Sequence, residues 1–409
     1  MNQSQLIPHL FRTEYRKITS VLCKRFGIHH IEIAEDIASE TFLTATETWG
    51  IKGLPENPTA WLYTVATNKA KNFLQRDALF QNKIAPELQQ AVRKSPAPEV
   101  DLSEQNIVDS QLQMMFAICQ PSIPAEAQVG LCLRILCGFG IEEIADAFLT
   151  NKETINKRLF RAKERLRLDN LKIEMPIPVQ IEARMEPVLT TLYLLFNEGY
   201  YSASQHITLR KDLCLEAMRL CLMLIENPST NTPAANALLA LMCFHASRFE
   251  ARIDKDGAII LYDDQDTRLW NPELITQGEY YLNIAATGKK ISRYHLEAAI
   301  AYWHTQKEDT QEKWENILQH YNQLLQIAYS PIAALNRTYA LSKANGKEEA
   351  IVEAEKLQLT DNRFYFMLLG ELYAGVDNEK AASQFNLAMN LAKTETEKTA
   401  IHKKLQSLN

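Results

Sequence analysis

Basic side chains recur at helical spacing in the stretch IEEIADAFLTNKETINKRLFRAKERLR, which runs from Ile141 to Arg167. Within it, residues 151–168 carry seven basic and two acidic side chains, although the whole chain has a formal net charge of -6. A local cluster of Lys and Arg binds a polyanion whatever the net charge of the protein. These residue types therefore favour nucleic-acid binding over catalysis as the chemistry of this stretch.

Two helices that cross over a short turn would position these side chains. The first would cover residues 142–148, with Ile144, Ala145 and Phe148 facing inward, and the second would begin at Lys152. Steps of four, three and four residues give the second helix a continuous apolar seam. That seam consists of Ile155, Leu159, Ala162 and Leu166. The pattern predicts a helix-turn-helix, although Leu149 stands where its turn usually has Gly.

The exposed side of the second helix supplies two groups of candidate DNA contacts. Its N-terminal end normally meets base edges, and arginines along its flank are suited to phosphate oxygens. The base-reading group is Lys152, Glu153, Asn156 and Lys157, and the phosphate group is Arg158, Arg161 and Arg165. The alternative interpretation is an amphipathic helix whose cations are only solvated.

The whole chain predicts an all-α protein of several domains. With 409 residues it is too long for one core, and Gly and Pro are scarce, at 13 and 15. Gly27 and Gly50 predict the ends of the first two helices. Pro-containing stretches without apolar periodicity divide the chain into a helical domain at 1–80, a linker at 81–109, a helix-turn-helix domain at 110–170 and a helical C-terminal extension at 180–409.

An internal repeat near the end of the chain predicts stacked helical hairpins between about residues 313 and 392. Leu335 and Tyr339 recur as Leu369 and Tyr373, a period of 34 residues. The second helix of each hairpin would carry a small-large-small pattern, namely Ala350, Ala354, Leu357 and Ala381, Phe385, Ala388. Tetratricopeptide (TPR) helices interlock in this way and bind peptides or protein surfaces on a concave face. Any stack of α-hairpins could mimic the pattern.

Motifs for enzymatic chemistry and metal binding do not appear in the sequence. We expect no enzyme activity and no cofactor, because phosphate-cradling Gly loops, HExxH and nucleophile motifs are missing. The seven cysteines form no CxxC pair and predict buried, reduced thiols. Asp263, Asp264 and Asp266 lie in a segment that predicts a hairpin or an extended loop, and they favour a capped turn over a cation site. No apolar run of about 18 residues occurs, so a cytoplasmic protein without a membrane partner is expected.

Three stretches together resemble the sigma-70 family. AEDIASETFLTATETW followed by NPTAWLYTVATNKAKNFLQR resembles region 2, and IPAEAQVGLCLRILCGFGIEEIADAFLTNKETINKRLFRAKERLR resembles region 4. Their order, the linker and the lack of an intact region 3 are similar to the extracytoplasmic-function (ECF) class. The resemblance implies a sigma factor whose partners are core RNA polymerase, through the β′ clamp helices and the β flap, and the -35 and -10 elements of promoter DNA.

The resemblance also assigns site residues by motif position. In region 2, the face that docks on the clamp helices would consist of Asp36, Ser39, Glu40 and Phe42. The residues that open and read the -10 element would be Trp61, Tyr63, Asn68, Lys69, Lys71, Asn72 and Arg76. Aromatic groups stack on bases, and amides and cations hold the strand. Trp61 matches a Trp that the family uses largely for packing, and Asn72 stands where the family often has Asp.

Residues 183–409 resemble the long extension of one sigma group that carries a TPR-like domain. The stretches LTTLYLLFNEGYYSAS, LLALMCFHASRFEAR and DDQDTRLWN carry this resemblance. It implies an intrachain regulator or a platform for a protein or peptide partner. Gly199 could close a helix in the left-handed cap position. The alternative function is a one-component helix-turn-helix regulator with a helical-repeat sensor, which would need no polymerase-docking helix.

Overall fold

The structure, a computed structural model, describes residues 3–84, 100–148, 150–169, 172–200, 210–253, 260, 262–392 and 395–408. Helices make up most of these residues and no strand occurs among them, which confirms the all-α prediction. No helix in the described ranges is long and apolar enough to cross a membrane. The chain divides into two compact units, Met1–Ser202 with Asp212–Thr230, and Ala203–Lys211 with Asn231–Asn409.

Nine helices of the described residues lie in or border the first unit. They are α1 (Gln3–Phe26), α2 (Ile31–Lys52), α3 (Pro58–Ile84), α4 (Glu104–Ile118), α5 (Ala125–Leu131), α6 (Ile141–Ala147), α7 (Lys152–Leu168), α8 (Pro178–Tyr200) and α9 (Lys211–Glu226). A π-helical turn, Cys132–Leu136, continues α5. The first three helices belong to the predicted region 2 domain, and α4 to α7 belong to the predicted region 4 domain.

Glycines end the first two helices, one of them at the predicted position. Gly27 follows α1 with φ +85°, a conformation that side chains with a Cβ rarely adopt. The prediction for Gly50 is wrong, because α2 continues through it to Lys52. Gly53, with φ +81°, ends that helix, and its N–H donates to the carbonyl of Trp49 at 3.1 Å.

The predicted apolar seam of α7 is buried. Ile144 and Ala145 of α6 are buried, and so are the four apolar residues of α7 at 155, 159, 162 and 166. Asn151 caps α7, because its side chain accepts a hydrogen bond from the N–H of Thr154 at 2.8 Å. Gly130 of α5 faces this seam, where an added Cβ would lie 3.2 Å from Leu159. Leu149 lies outside the described residues.

Helices occupy both ends of the predicted linker at 81–109. Helix α3 runs to Ile84, and α4 begins at Glu104 after a cap in which the Ser103 side chain accepts from the N–H of Asn106. This cap is a local signal that the apolar pattern alone does not show. Residues 85–99 of the linker lie outside the described part of the chain.

The compact units do not divide near residue 180, where the extension was predicted to begin. Arg16 of α1 and Glu216 of α9 form an ion pair at 2.6 Å, with 11% and 16% of their side chains exposed. The Thr191 hydroxyl of α8 donates to Gln128 at 2.8 Å. Helices α8 and α9 therefore pack with α1 to α7, and the division falls after Thr230. Gly199 is buried inside α8 and does not end it.

Helices make up most of the described part of the second unit, and a longer segment with 3-10 turns lies between the first two of them. The helices are α10 (Pro233–Ala246), α11 (Pro272–Ala285), α12 (Arg293–Thr305), α13 (Gln311–Ile327), α14 (Pro331–Asn345), α15 (Lys347–Leu357), α16 (Arg363–Tyr373), α17 (Asn378–Leu391) and α18 (Glu395–Gln406). The repeated pair Leu335 and Leu369 is buried in α14 and α16. At Gly370, where an added Cβ would lie 2.5 Å from the Phe385 ring, α16 and α17 touch closely.

The acidic segment of the second unit forms short turns. Asp266 accepts hydrogen bonds from the backbone N–H of Arg268 and from its guanidinium, which holds the pKa of Asp266 down at about 2. A single backbone bond, from the Ile260 N–H to the Arg252 carbonyl at 2.8 Å, is the hairpin-like feature of the described residues. The Asp263 side chain lies outside the described part, and Asp264 ends a short 3-10 turn.

Candidate polymerase and DNA interfaces

The predicted docking face lies on the outer side of α2. Asp36, Ser39 and Glu40 are exposed there, because the opposite side of α2 packs on α1 and α3 through its apolar residues. Phe42 does not share this surface. It is 4% exposed, and its ring packs edge-on against Phe11 of α1 at 5.0 Å. Position 42 falls on the side of α2 that faces the core. Phe42 therefore lies beneath the exposed surface formed by Asp36, Ser39 and Glu40.

A groove of about 450 Å³ adjoins this face. Ser39 and Phe42 line it, together with Leu43, which has 58% of its surface exposed. The far side of the groove is formed by the region 4 domain, through Gly138 and Glu143. The Arg12 guanidinium of α1 donates to Glu143 at 2.6 Å across it. The predicted docking surface is therefore bordered by a second domain.

The predicted -10 residues lie along α3. Asn68, Asn72 and Arg76 are exposed and four residues apart, so they form one polar row on the helix. Lys69 and Lys71 flank that row and are partly exposed. Lys69 forms an ion pair with Glu40 of the docking face at 3.0 Å. The two predicted sites of region 2 thus meet at this pair.

The two predicted aromatics of α3 are held by the region 2 interior. Trp61 packs edge-on against the buried Trp49 at 5.3 Å, which agrees with the packing role of its family counterpart. The Tyr63 hydroxyl donates to Glu14 of α1 at 2.6 Å. Burial, followed by Glu14, raises the pKa of Tyr63 well above its usual value. Both side chains brace α3 against its neighbours, and this arrangement orients the row of Asn68, Asn72 and Arg76.

Helix α7 presents the predicted -35 residues. Lys152, Glu153, Asn156, Lys157 and Arg161 are exposed. Arg158 is mostly turned inward, where it pairs with Glu126 at 2.8 Å and lies over the Phe148 ring. Arg165 pairs with Asp169 at 3.3 Å. The Lys152 ammonium pairs with Glu142 of α6, and that pair lowers the pKa of the Glu142 carboxyl.

Several of the cations of α7 line a second groove, of about 450 Å³. Its walls include Lys157, Arg158, Arg161 and Arg165 on one side and Ser122 on the other. Glu126, the partner of Arg158, also lines the groove, and the excess of cations over this one acid attracts an anion. Phosphate oxygens of a nucleic-acid backbone would fit this surface in size and charge.

Phe160 was missed by the sequence reasoning. Its ring is 61% exposed, one turn beyond Asn156 on the same side of α7. It breaks the pattern of a polar outer face, and this break is the signal that would have identified it. An apolar side chain in this position can contact the methyl group of thymine in the major groove.

Two cations counted in the basic stretch form ion pairs with the region 2 domain. Lys163 is 8% exposed and pairs with Glu35 of α2, and Arg167 pairs with Glu32 of α2. The Arg134 guanidinium, from the π-helical turn, also donates to Glu35, at 2.8 Å. These two cations join the region 2 and region 4 domains, and Arg158 is turned inward. Four of the seven cations, Lys152, Lys157, Arg161 and Arg165, therefore remain exposed for a polyanion.

Comparisons with known proteins agree with the resemblance in the N-terminal part. A family model described as Sigma-70 region 2 matches residues 10–79, and one described as a family of unknown function (DUF6596) matches residues 184–286. RNA polymerase sigma factor YlaC of Bacillus subtilis is 27% identical over 168 residues, or 41% of this chain and 93% of that protein. ECF RNA polymerase sigma-E factor of Haemophilus influenzae is 28% identical over 107 residues, or 25% of this chain and 57% of that protein.

One relative aligns with nearly the whole chain. Uncharacterized protein R00370 of Rhizobium meliloti is 32% identical over 387 residues, which cover 93% of this chain and 90% of that protein. No solved structure is significantly similar to the chain. The chain therefore belongs to the family of R00370, and its residues 10–79 match the Sigma-70 region 2 model.

Proposed function

We propose that the protein is an ECF-type sigma factor that binds core RNA polymerase and directs it to promoters with -35 and -10 elements. The observation that carries the proposal is the pair of outer faces in the segment that matches region 2. The acidic face of α2 with Asp36 and Glu40 lies beside the amide and basic row of α3 with Asn68 and Asn72. An acidic protein-docking face beside a strand-binding face is the combination that a sigma factor needs.

In this proposal, the β′ clamp helices of polymerase dock on Asp36, Ser39 and Glu40. The carboxylates project from one side of α2 and would pair with basic side chains of the partner. Leu43, exposed beside them in the groove, supplies apolar contact area. Phe42 lies beneath this surface and packs against Phe11 of α1, and this contact fixes the position of α2 on α1.

The two DNA elements are read by separate helices. The row on α3 holds the unpaired strand of the -10 element through amide and cationic groups. Helix α7 lies in the major groove of the -35 element, where Asn156, Lys157 and Phe160 meet base edges and Arg161 and Arg165 bind phosphates. The β flap of polymerase is the partner of the region 4 domain.

The extension from α8 onward modulates this activity. Helices α8 and α9 belong to the unit that holds the readers, and the second unit is a helical stack of TPR-like character that offers a surface for a protein or peptide partner. Because polymerase and chromosomal DNA are its partners, the proposed function places the protein in the cytoplasm.

Two experiments test the proposal. The first is run-off transcription with purified core polymerase, and the second is a pull-down of the polymerase by this protein. We expect promoter-dependent transcripts, and we expect Asp36→Ala to weaken capture of the polymerase about tenfold, as removal of one interface charge can do. Glu56→Ala, which removes an exposed acid in the α2–α3 loop, is the matched control and should change nothing. DNA binding without polymerase capture or transcripts would instead indicate a one-component regulator.

A further inference from the structure

Two stretches that the proposed function leaves unexplained meet in the second unit. They are LLALMCFHASRFEAR, residues 238–252, and DDQDTRLWN, residues 263–271. The Asn271 N–H donates to the Ser247 carbonyl at 2.8 Å, and this bond ties the end of the second stretch to the first. The Tyr262 ring lies between them, with its centroid 6.1 Å from that of Trp270 and 5.4 Å from Cζ of Arg248. Side chains of both stretches are therefore arranged around Tyr262.

Helices α12 and α13 add two further side chains to this arrangement. His304, near the end of α12, packs its ring edge-on against Tyr262 at 4.9 Å. Lys313, in the first turn of α13, donates to the Tyr262 hydroxyl at 3.1 Å and to the Gln306 carbonyl at 3.0 Å. The Tyr262 hydroxyl donates in turn to the His304 carbonyl at 2.9 Å. The group named the Tyr262 cluster below consists of Arg248, Tyr262, Trp270, His304 and Lys313.

Both cations of the Tyr262 cluster are buried. Arg248 is 7% exposed and Lys313 is 2% exposed, and each lies within 5.5 Å of the Tyr262 ring centroid. The Arg248 guanidinium meets the His245 imidazole at 3.5 Å, and no carboxylate of the described residues forms an ion pair with it. A buried charge costs free energy unless an opposite charge or hydrogen bonds compensate it. The position of Arg248 therefore favours an anion beside it.

Three buried nitrogen atoms of the cluster point to the same conclusion. Within the described part of the chain, no hydrogen-bond partner is present for Arg248 Nε, Trp270 Nε1 or His304 Nδ1. The first two can only donate, and their side chains are more than nine-tenths buried. Buried donors in folded proteins are nearly always paired, so an orphaned one needs an explanation such as a bound ion. Two such donors around one tyrosine indicate an acceptor that binds there.

The charge and the exposure of the cluster define the class of ligand. Burial, followed by the charges of Arg248 and Lys313, lowers the pKa of His304 to about 3. The imidazole is therefore neutral at pH 7, and the two cations leave the cluster with two positive charges. Guanidinium and ammonium groups bind carboxylate and phosphate oxygens with charge-assisted hydrogen bonds. Tyr262 and His304 are partly exposed, so a small molecule can approach from solvent.

We propose that the Tyr262 cluster binds a small, doubly charged anion, which carries either a phosphate group or two carboxylates. Arg248 and Lys313 neutralise the anion, and Trp270 donates its indole N–H to one of its oxygens. The Tyr262 hydroxyl holds Lys313 in position. This proposal goes beyond the proposed sigma function and does not depend on it, because binding is measured on the protein alone. The second unit is then a ligand-binding domain, and the extension responds to the concentration of the anion.

Isothermal titration calorimetry tests the proposal on the full chain, with inorganic phosphate and with succinate as probes in chloride buffer of constant ionic strength. We expect one of the two to bind with a dissociation constant of about 1 mM or less, and the one that binds identifies the class. Arg248→Met and Lys313→Met keep the side-chain length but remove the charge. Each should weaken binding at least about tenfold, since a hydrogen bond to a charged group is lost.

Arg268→Met is the matched control, because Arg268 belongs to the same segment but is 87% exposed and pairs with Asp266. It should bind the probe as the unchanged chain does. If neither phosphate nor succinate binds, or if Arg248→Met binds as tightly as the unchanged chain, the Tyr262 cluster is not an anion site.

The cationic groove of α7 attracts the same probes, so a second measurement locates the bound anion. In the full chain with ¹⁵N-labelled tryptophan, saturating probe should shift the indole N–H resonance that Trp270→Phe removes. The resonance of Trp49, in the first unit, should stay in place. Arg161→Ala removes an exposed cation of the α7 groove and should leave the titration unchanged. An unmoved Trp270 resonance, or binding that Arg161→Ala abolishes, would overturn the proposal. Because this resonance is followed in the unchanged chain, it decides the question even if Arg248→Met fails to fold.

Discussion

Asn156 and Arg161 lie on the exposed side of the same helix, but their chemistry differs. The Asn156 amide can both donate and accept, so it can distinguish one base edge from another. Arg161 presents a charge that any phosphate satisfies equally well. Neither side chain is held by the buried cluster that engages Lys163, further along α7.

These two residues should therefore give different binding defects. Arg161→Ala should weaken DNA binding about equally across sequences and reduce the slope of log affinity against log salt by about 1. Asn156→Ala should leave that slope unchanged and cost about 1–3 kcal/mol of discrimination at one base pair of the -35 element. Fluorescence anisotropy on matched and altered -35 duplexes at several salt concentrations measures both effects. If Arg161→Ala leaves the slope of log affinity against log salt unchanged, the Arg161 side chain does not bind a phosphate.

The sequence predicts which side chains are buried where the helical spacing of apolar residues alone determines it. The seam of α7 follows from helical spacing, and Asn151 is a recognisable cap. Lys163 has the same type and spacing as its exposed neighbours, yet it is buried against Glu35, 128 residues earlier in the chain. Nothing within one helix encodes such a contact, so the sequence could not separate the exposed cations from the two that join domains.

At the scale of elements, α10 and α12 each hold a partly buried histidine near cations. His245 lies near the end of α10 and His304 near the end of α12. Burial, reinforced by Arg248, lowers the pKa of both imidazoles, that of His304 to about 3. Lys313 and Arg252 add positive charge near His304 and His245, respectively. Both rings are therefore neutral in the folded second unit.

Acid should destabilise the second unit through these histidines. A neutral buried histidine has a folded pKa below its unfolded value of 6.5, so the unfolded state binds more protons and stability falls as pH decreases below about 6.5. Each such histidine contributes up to about 1.4 kcal/mol per pH unit in that window. Urea unfolding between about pH 7.5 and about pH 5 should show this loss.

A substitution separates the histidine effect from general acid denaturation. His304→Phe keeps a ring that can pack on Tyr262 and Trp314, whose centroids lie 4.9 Å and 5.9 Å from the imidazole. It should flatten the decline in unfolding free energy between about pH 6.5 and about pH 5. The exposed His402→Phe is the control and should leave the decline as it is. An equal decline in His304→Phe would assign the acid sensitivity to other groups.

For the whole molecule, the helical character of the chain was predictable, but the place where its compact units divide was not. Composition breaks near residues 81 and 174 are local features of the sequence, whereas the compact units are set by contacts between distant residues. The ion pair of Arg16 with Glu216 joins residues 200 positions apart and ties α9 to the first helix. A boundary chosen from composition alone would cut through this unit.

The position of a truncation should therefore decide whether the sigma part folds. A protein ending at residue 180 loses α8 and α9, leaves Arg16 without its partner, and removes the residues that Gln128 and the Leu136 carbonyl contact. Loss of one partner of a largely buried ion pair costs about 3–5 kcal/mol, a large share of the roughly 5–15 kcal/mol that stabilises an ordinary domain. A protein ending at residue 230 keeps every one of these contacts.

We expect the 1–230 protein to unfold in one cooperative thermal transition and to bind a -35 duplex. The 1–180 protein should melt at least about 10 °C lower or aggregate, given its loss of free energy. Glu216→Gln in the 1–230 protein is the intermediate case, since it removes the charge but keeps α9. Equal melting temperatures for the 1–180 and 1–230 proteins would mean that α8 and α9 are not part of the folded unit. If they are part of it, any regulatory effect of the extension has to be measured by removing residues 231–409 alone.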